Sequence, residues 1–504
     1  MIRRAVSSWM LAIAIAGPAT AAERPDLLRF TNGDQLHGTF LGITDGPQAV
    51  WKRDDIGAPV EFKTTQIRHI VLRGGRPLAP LESLSYVGLV NGDRIPGSII
   101  AMDGGQVTVE TGCAGTLRIP RPQVAMVAPN PLGGRVCYYG PFSPDDWSMA
   151  HPSFPDGLPP ADAGAEEKSD APGRWVFSGA AWYWQNKQAG TTLIRKTGMP
   201  DRAVLRFDLA WKNRLSVAVA FHADFARTTP PAEGEDKQAK VRAFVPGDAT
   251  DLPRLFGNSY VLQMYSNYLM LYRTSVSGEG HGSIDRVQLN NNNLRLGDAG
   301  HARVEIRSNR LTGAISLFVN DEFLAQWSEG GRDDGDDAKG YAGKGEGFGF
   351  VVQGDDTPVR VSDIVVSEWN GMPDSARSMQ VDEQDVVLMT NGTDRYAGRI
   401  TGLDAQGRVL FEGKHGKFQF PFQDVAEIRF ARGQLAPETD APADSLVVRL
   451  NPIGSISGRP VSGDATTLEL LSPIAGPIQL SLNSAVMLDF NSSNQTIDDW
   501  DADF

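Results

Sequence analysis

The side chains best suited to bind a ligand in this sequence are aromatic residues grouped on predicted strands. Trp182 and Trp184 flank Tyr183, so a strand would place the two indoles on one face and the phenol on the other. Sugar rings stack their C–H faces on aromatic rings, while amide and guanidinium groups bond to hydroxyls. We therefore predict a ligand site with candidate residues Trp182, Trp184, Tyr265, Tyr268, Tyr272, Asn267 and Arg273. The alternative is that these rings fill the hydrophobic core.

An acidic segment has a composition that suits a metal ion. Asp333, Asp334, Asp336 and Asp337 flank a glycine and offer the oxygen ligands that calcium prefers. The segment lacks the spacing and the final glutamate of an EF-hand loop, and a solvated acidic loop is the alternative. Calcium is the one cofactor that this pattern suggests.

The sequence contains none of the common catalytic motifs. Its seven histidines never occur with His-x-x-x-His spacing, and it has neither a Gly-x-Ser-x-Gly elbow nor a phosphate-binding loop. His222 follows Phe221 at the end of an apolar strand, and we interpret it as a strand-end residue rather than a general base. These patterns favour a protein without enzymatic activity but do not decide the question, and they assign no catalytic residue.

The two cysteines, Cys113 and Cys137, predict a disulfide, because an even number of cysteines in an exported chain favours pairing. The bond would tie the second of four repeated segments to the start of the central region. A reactive thiol is the alternative, but no histidine lies near either cysteine in the sequence.

Four similar segments bracket a different central region, and they are Leu28–Leu72, Tyr86–Pro129, Val386–Phe430 and Leu446–Phe490. Asn32 and Asn91 begin equivalent turns 59 residues apart, and Asn391 and Asn451 lie 60 residues apart. Repetition at a fixed spacing is typical of duplicated structural units. Each segment is expected to curl into a small β-barrel that resembles SH3-like or Sm-like folds.

The third segment shows the expected strands of one repeat. They are Val386–Met389, Tyr396–Leu403, Arg408–Glu412, Lys417–Pro421 and Val425–Phe430. Asn391 and Gly392 form a strong turn signal, because both residue types accept positive φ at little cost.

The central region alternates apolar and polar residues over many segments. Leu205, Phe207 and Leu209 would point to one face of a strand while Arg206 and Asp208 point to the other. This period of two predicts antiparallel sheets with one buried face. The predicted fold is therefore all-β, with a central two-sheet jelly roll flanked by two repeats on each side.

The central region also resembles concanavalin A-like lectin and glucanase domains. The resemblance rests on an opening strand at Trp175–Gly179, a hairpin at Leu317–Leu324 and two closing strands at Gly347–Phe350 and Val361–Val366, each similar to the equivalent element of that family. Within it, the region is most similar to laminin G-like sandwiches and to a bacterial group of keto-disaccharide hydrolases. The resemblance implies a jelly roll. The Glu-x-Asp-x-x-Glu strand of the glucanases is absent, so their mechanism does not carry over.

These observations divide the chain as follows: signal peptide (1–22), repeat 1 (23–80), repeat 2 (81–137), jelly roll (138–372), repeat 3 (380–432), repeat 4 (445–490) and a C-terminal tail (491–504). Arg3 and Arg4, a short apolar stretch and an Ala-Thr-Ala site predict export to the periplasm or beyond the cell. The formal net charge of −13 argues against a nucleic-acid partner, and no segment is apolar for long enough to span a membrane.

We expect an exported recognition protein whose jelly roll binds a glycan or a cell-surface protein, with the repeats as a scaffold that can self-associate. One alternative is a glycoside-acting hydrolase, which a cluster of acids and histidine beside aromatic residues would favour. A second alternative is a structural envelope protein without a ligand site.

Overall fold

The protein is an all-β molecule with one short helix among the residues that the structure describes. The computed structural model describes residues 25–151, 158, 172–178, 180–186, 190–228, 251–287, 295–320, 322–330, 340–371, 383–437 and 444–490. Within these ranges, none of the helices has the length and apolar character needed to cross a bilayer. The helix is α1 (Leu252–Phe256), and short 3-10 turns cover Thr64–Gln66, Leu72–Gly75, Arg121–Gln123, Pro144–Asp146, Phe422–Asp424 and Arg432–Gln434.

The first two repeats occupy the chain before the central region. Repeat 1 consists of β1 (Asp26–Phe30), β2 (Gln35–Ile43), β3 (Gln48–Lys52), β4 (Val60–Lys63) and β5 (Ile67–Val71). Repeat 2 consists of β6 (Tyr86–Leu89), β7 (Arg94–Pro96), β8 (Ser98–Met102), β9 (Gln106–Thr111), β10 (Gly115–Pro120) and β11 (Val124–Ala128). In repeat 2 the second strand is split at Gly97, where φ is +154° and a Cβ atom would lie 2.4 Å from the carbonyl oxygen of Glu110.

The other two repeats follow the central region, and their strands agree closely with the sequence prediction. The strands observed in repeat 3 are β27 (Asp385–Met389), β28 (Arg395–Leu403), β29 (Arg408–Gly413), β30 (Gly416–Pro421) and β31 (Val425–Arg429). Repeat 4 consists of β32 (Leu446–Leu450), β33 (Ser455–Asp464), β34 (Thr467–Ser472), β35 (Gly476–Ser481) and β36 (Ala485–Phe490). The five predicted strands of repeat 3 are confirmed to within one residue at each end.

Each repeat pairs its strands in the same way. In repeat 1 the antiparallel order is β4-β3-β2-β1-β5, and repeats 3 and 4 have the equivalent order. A buried aspartate supports this arrangement in repeats 1 and 3. Asp26 accepts the backbone N–H groups of Phe40 and Arg73, and Asp385 accepts those of Ile400 and Ala431. Closure of these bent sheets into barrels stays a prediction.

The front and back repeats pair with each other, which the sequence could not show. The last strands of repeats 1 and 4, β5 and β36, are antiparallel partners, with His69 opposite Asp489. The last strands of repeats 2 and 3, β11 and β31, pair in the same manner, with Met126 opposite Arg429. Buried apolar side chains from all four repeats form one continuous hydrophobic cluster that includes Phe40, Trp51, Ile119, Phe411 and Leu470. We call these four repeats the platform.

The central region forms two antiparallel sheets. The first sheet contains β12 (Val136–Gly140), β14 (Val176–Ser178), β15 (Ala181–Trp184), β17 (Arg202–Trp211), β22 (Gly300–Asn309), β23 (Ala314–Val319), β24 (Glu322–Ser328) and β26 (Val359–Glu368). The second contains β13 (Ser148–Ala150), β16 (Thr192–Arg195), β18 (Ser216–Ala223), β19 (Ser259–Tyr265), β20 (Leu269–Val276), β21 (Gly282–Val287) and β25 (Gly347–Val352). We call this pair of sheets the sandwich.

The sandwich core follows the predicted alternation of residues. Leu205, Phe207 and Leu209 of β17 are at most 1% exposed, and they pack with Phe221 and Phe350 of the second sheet. Burial of these apolar side chains is the main favourable term that holds the two sheets together. On the outer face of the second sheet, α1 packs Phe256 against small residues such as Ala218 and Ala220.

Residues 129–147, which we call the connecting segment, join repeat 2 to the sandwich and contact both the sandwich and the platform. The backbone N–H of Val136 donates to the carbonyl oxygen of Pro452 in repeat 4, while β12 adds to the first sheet beside β26. Tyr139 and Phe142 pack against an apolar cluster that contains Val71 of repeat 1 and Met487 of repeat 4. The first sheet therefore turns its outer face toward the platform.

The predicted disulfide is wrong, because Cys113 and Cys137 are both free cysteines. Cys113 lies in the hydrophobic cluster of the platform, whereas Cys137 packs at the edge of the sandwich core. The two thiols therefore belong to two different hydrophobic clusters.

Candidate functional site

A polar cleft separates the sandwich from the platform. Its volume is about 1140 Å³, which is sufficient for an oligosaccharide, since ligand sites usually range from about 300 to 1,000 Å³. Charged and aromatic side chains from both parts of the molecule line this cleft, among them Arg68, His69, Tyr138, Tyr139, Arg206, Asp208, Arg303, Glu305, Arg307, Asp363, Glu427, Arg429, Arg449 and Asp489. We call this space the central cleft.

Pairs of opposite charge form the sandwich wall of the cleft. Asp208 of β17 lies opposite Arg303 of β22, and the guanidinium Nε is 3.0 Å from the carboxylate Oδ1. Further along the same face of β22, the Nε of Arg307 donates a hydrogen bond of 2.6 Å to the carboxylate of Glu305. These side chains point into the cleft because their neighbours along each strand point into the sandwich core. The wall is therefore a rigid array of planar donors and acceptors.

The platform wall is built where repeats meet. At the junction of repeats 1 and 4, Asp489 lies opposite His69 and forms an ion pair of 3.0 Å with Arg449. At the junction of repeats 2 and 3, Glu427 and Arg429 form an ion pair of 2.9 Å. Strands that join different repeats thus supply the charged groups of this wall.

Asp363 is brought into the cleft by a β-bulge in β26. The register between β17 and β26 shifts at this point, and Asp363 has a φ of +49°, a conformation that residues other than glycine rarely adopt. Burial opposes ionisation of Asp363, but the neighbouring groups His69, Arg29 and Arg68 outweigh it and lower the pKa of the carboxyl. Burial, aided by Arg29, lowers the pKa of His69 to about 3. The charge of Asp363 opposes the shift in the pKa of His69, so the ionisation of each group depends on that of the other.

Two further carboxyl groups show the opposite shift. Burial raises the pKa of Asp208, and the charge of Asp363 adds to this effect, although the hydrogen bond from Arg303 opposes it. Burial also raises the pKa of Asp489, with Asp363 again contributing and Arg449 opposing. Carboxyl groups whose pKa values are driven apart in one cleft are a feature of acid–base centres, although structural ion pairs produce similar shifts.

Two tyrosines of the connecting segment complete the cleft. The guanidinium carbon of Arg195 lies 3.9 Å from the ring centre of Tyr138, whose hydroxyl accepts a hydrogen bond from Trp147. Burial raises the pKa of Tyr139, and Arg449, Asp363, Asp489 and Arg206 act on the same phenol. Tyr139 thus lies among the charged groups of both walls.

The two tryptophans predicted to bind ligand lie in the sandwich core. Trp182 is 3% exposed and Trp184 is fully buried, and both belong to the cluster that contains the inward side chains of β17. Trp184 packs on Trp175 with ring centres 5.5 Å apart. Their location corresponds to the core-filling alternative, since neither indole reaches the surface.

The three predicted tyrosines come together on the outer face of the second sheet. Tyr265 and Tyr268 stack with ring centres 4.4 Å apart, and Tyr268 is 39% exposed. Tyr272 interacts electrostatically with Tyr268 and Tyr265, and Asn267 is exposed in the adjoining turn. This tyrosine cluster lies away from the lining of the central cleft.

Arg273 is separated from the tyrosine cluster by the sheet itself. It lies opposite Tyr260, which points into the sandwich, and its guanidinium is 2.9 Å from Glu329. The hydroxyl of Tyr260 donates to the same carboxylate over 2.9 Å. The predicted set of ligand residues is thus divided among three places in the fold.

The predicted calcium ligands Asp333, Asp334, Asp336 and Asp337 lie outside the described residues. In the part of the chain that the structure describes, no group of three or more His, Cys, Asp or Glu side chains is arranged to hold a metal ion.

His222 occupies a buried position that agrees with the strand-end interpretation. Its Nε2 lies 2.8 Å from the hydroxyl of Ser308, so the imidazole bridges the two sheets. Burial lowers the pKa of His222 to about 3, with Arg310 adding to the effect. Both His222 and Ser308 are fully buried, which excludes substrate from this pair in the folded state.

The residues of the central cleft were missed by the sequence analysis. The alternation places Arg206 and Asp208 on the face of β17 opposite its apolar residues, and it assigns that face no function. Opposite charges on two predicted neighbouring strands were the available signal. Nothing in the sequence brings His69 or Asp489 to that face, because these residues belong to repeats at the two ends of the chain.

The comparisons with known proteins concern the fold. No protein-family model matches the sequence, and no curated protein matches it. Among solved structures, a Bacillus subtilis protein with a galectin-like fold is 15% identical and covers 47% of this chain and 96% of its own, with a TM-score of 0.28. A carbohydrate-binding module, CBM66 from Bacillus subtilis, is 11% identical and covers 39% and 92%, with a TM-score of 0.23. The β-glucanase of Bacillus licheniformis is 10% identical and covers 47% and 99%, with a TM-score of 0.25.

The matching structures are thus lectin-like and glucanase folds over part of the chain, the class that the sequence resemblance indicated. Each of these three covers less than half of the chain, and at such TM-scores the likeness carries no information about function.

Proposed function

We propose that this protein is an exported carbohydrate-binding protein and that the glycan binds in the central cleft. The observation that supports this is the pairing of planar charged groups in a cavity of about 1140 Å³. Arg303 with Asp208, Arg307 with Glu305 and Arg449 with Asp489 hold donors and acceptors at fixed positions. Neighbouring hydroxyl groups of a sugar both donate and accept hydrogen bonds, so such an array can bind several of them at once.

The two walls have different tasks in this proposal. The sandwich supplies the sheet face, and the platform closes the cleft from the other side with His69 and Asp489. Because both walls are held by strand pairing, the site is preorganised and loses little conformational entropy on binding. The repeats therefore act as a scaffold and as half of the site.

A glycan array with the full-length exported chain tests the proposal. We expect binding to a defined class of glycan, and we expect Asp208→Asn to weaken it by about tenfold, since a hydrogen bond to a charged group contributes about 1.5 kcal/mol. Tyr268→Ala should leave binding unchanged, because Tyr268 lies outside the central cleft. Loss of binding with Tyr268→Ala alone would move the site to the tyrosine cluster. Failure to bind any glycan would contradict the proposal and favour a structural role.

The second candidate function is glycoside hydrolysis in the same cleft. It is favoured by the acid–histidine group of Asp363, Asp489 and His69 beside Tyr139. Asp363 would act as the ionised carboxylate, and Asp208 or Asp489 as the proton donor whose pKa is raised.

Product analysis separates this candidate from simple binding. A hydrolase would release shorter sugars from the glycan that it binds, and Asp363→Asn would stop the release while binding persists. Release of products by Asp363→Asn at the native rate would exclude Asp363 from the reaction, and intact glycan after long incubation with the native protein would exclude hydrolysis.

A further inference from the structure

The central cleft is richer in positive charge than the molecule as a whole. Nine arginines, one histidine and no lysine line it, against seven carboxylates. In the whole chain acidic residues predominate, with 61 Asp and Glu against 48 Lys and Arg. A cleft of positive net charge in a protein of negative net charge attracts anionic ligands.

Arg303, Arg307 and Arg449 of the cleft each form an ion pair with a carboxylate, but among the described residues Arg206 does not. It lies opposite Glu305 on the neighbouring strand, yet the Glu305 carboxylate is bound by Arg307 at 2.6 Å. No hydrogen bond or ion pair joins Arg206 to another residue within the described part of the chain. Its charge acts on Tyr139 and Asp208, and all three side chains line the sandwich side of the cleft.

An arginine in this position is suited to one kind of ligand group. A guanidinium is planar and presents two parallel N–H donors that match the two oxygens of a carboxylate or a sulfate ester. A partly buried guanidinium without a counterion also gains more from an anion than an exposed one does, because water screens it less.

We infer that the glycan bound in the central cleft is acidic, and that Arg206 binds its carboxylate or sulfate group. This inference rests on the proposed function and narrows it to one class of sugar. Uronic acids and sulfated sugars share the chemistry that the guanidinium recognises, so the test must separate them.

Calorimetric titration of the full chain with four probes makes this test. The probes are a short oligogalacturonate, its methyl ester, a keratan sulfate oligosaccharide, which contains no uronic acid, and its neutral desulfated form. We expect one acidic probe to bind about tenfold to a hundredfold more tightly than its neutral counterpart, the range expected from one charge-assisted pair. The oligogalacturonate pair reports on uronate, and the keratan sulfate pair reports on sulfate.

Variants assign the preference to Arg206. Arg206→Gln should bring the affinity for the acidic probe down to that of the neutral one, and Arg206→Lys should restore part of it. Arg118→Gln, at an exposed position outside the cleft, should change nothing. Thermal denaturation of each variant shows that it is folded, which is expected because Arg206 is on the outer face of its sheet.

Four results would overturn the inference. Equal affinity for acidic and neutral glycans would contradict it while leaving the proposed function intact. An unchanged preference in Arg206→Gln would contradict the role of that residue. Tighter binding of poly-glutamate than of any acidic glycan would indicate a peptide ligand. Failure of all four sugars to bind would contradict the inference, and the proposed function would fall with it only if the glycan array also showed no binding.

Discussion

Asp363 combines an unfavourable backbone conformation with a position in the wall of the central cleft. Its φ of +49° at the bulge in β26 costs a residue with a Cβ atom about 1 kcal/mol relative to glycine. Strained residues of this kind often occur at binding and catalytic sites, where the conformation aims a side chain. The sequence gives no sign of this strain, because aspartate in a strand is usually taken as a solvent-facing residue.

Two substitutions separate the backbone of Asp363 from its carboxylate. Asp363→Ala and Asp363→Gly both remove the charge, but only glycine relieves the left-handed conformation. We expect Asp363→Ala to have a free energy of unfolding about 1 kcal/mol lower than Asp363→Gly. Denaturant titration measures the difference. Equal stabilities would show that the bulge relaxes when the carboxylate is removed.

His222 makes the stability of the sandwich depend on pH. Its pKa is lowered from 6.5 to about 3 in the folded protein by burial, so the unfolded chain binds a proton that the folded chain rejects. Its contribution to stability is therefore complete above pH 6.5 and falls as the pH decreases toward 3. The slope for one such group is about 1.4 kcal/mol per pH unit.

Substitution of His222 should remove this part of the pH dependence. Thermal unfolding between pH 7 and pH 4 should show a smaller loss of Tm on acidification for His222→Gln than for the native protein. His281→Gln, at an exposed position, serves as the matched control and should retain the native slope. A native slope in His222→Gln would assign the acid sensitivity to other groups.

At the scale of elements, buried aspartates fix the first strand of two repeats. Asp385 accepts backbone hydrogen bonds from Ile400 at the second strand and Ala431 after the last, and Arg121 of repeat 2 lies 3.7 Å away. Repeats 2 and 4 have Ser85 and Ser445 at the corresponding sites. The aspartate therefore joins three segments of its own repeat, and in repeat 3 it also contacts the neighbouring one.

Removal of this carboxylate should destabilise the repeat. Asp385→Ala removes the acceptor of one buried and one partly buried N–H group, which should lower the free energy of unfolding by about 2–4 kcal/mol. Asp394→Ala, in the exposed turn of the same repeat, should have little effect. Denaturant unfolding of the two variants gives the comparison, and similar stabilities would show that water replaces the carboxylate.

Much of the element-level structure could be predicted from the sequence, because alternation and turn residues are local signals. The strands of repeat 3 and the inward face of β17 follow directly from them. The pairing of β5 with β36 could not, since strand partners far apart in the chain leave no local signal. For the same reason the aromatic residues of β15 were ambiguous, and only the packing of the sheets shows that Trp184 is in the core.

At the scale of the whole molecule, the two halves of the platform depend on each other. Arg73 of repeat 1 donates to the carbonyl oxygens of Leu482 and Ala485 in repeat 4, at 3.0 and 2.6 Å. Ser457 of repeat 4 donates to Asp93 of repeat 2. Strand pairing and the shared core add to these contacts. We therefore expect repeats 3 and 4 to stay bound to repeats 1 and 2 even when the covalent connection through the sandwich is cut.

Cleavage of the chain between residues 371 and 383 tests this dependence. With a protease site introduced there, we expect the two fragments to elute together on size exclusion without denaturant, because the shared core stays buried. They should separate in urea. Val127→Asp, which introduces a charge into this core at the junction of repeats 2 and 3, should weaken the association. Separation of the native fragments without urea would contradict the expectation.

The pairing of the first repeat with the last also has a consequence for the order in which the molecule is completed. Arg73 and its acceptor Ala485 are 412 positions apart, and the entire sandwich is synthesised between them. Contacts between such distant residues form slowly, because a long loop must close first. The sandwich can begin to fold from its own local hairpins, whereas the platform must wait for the last strand. The wall that carries Asp489 and Arg449 is therefore finished last, and a chain interrupted late in synthesis would have a folded sandwich without a complete cleft.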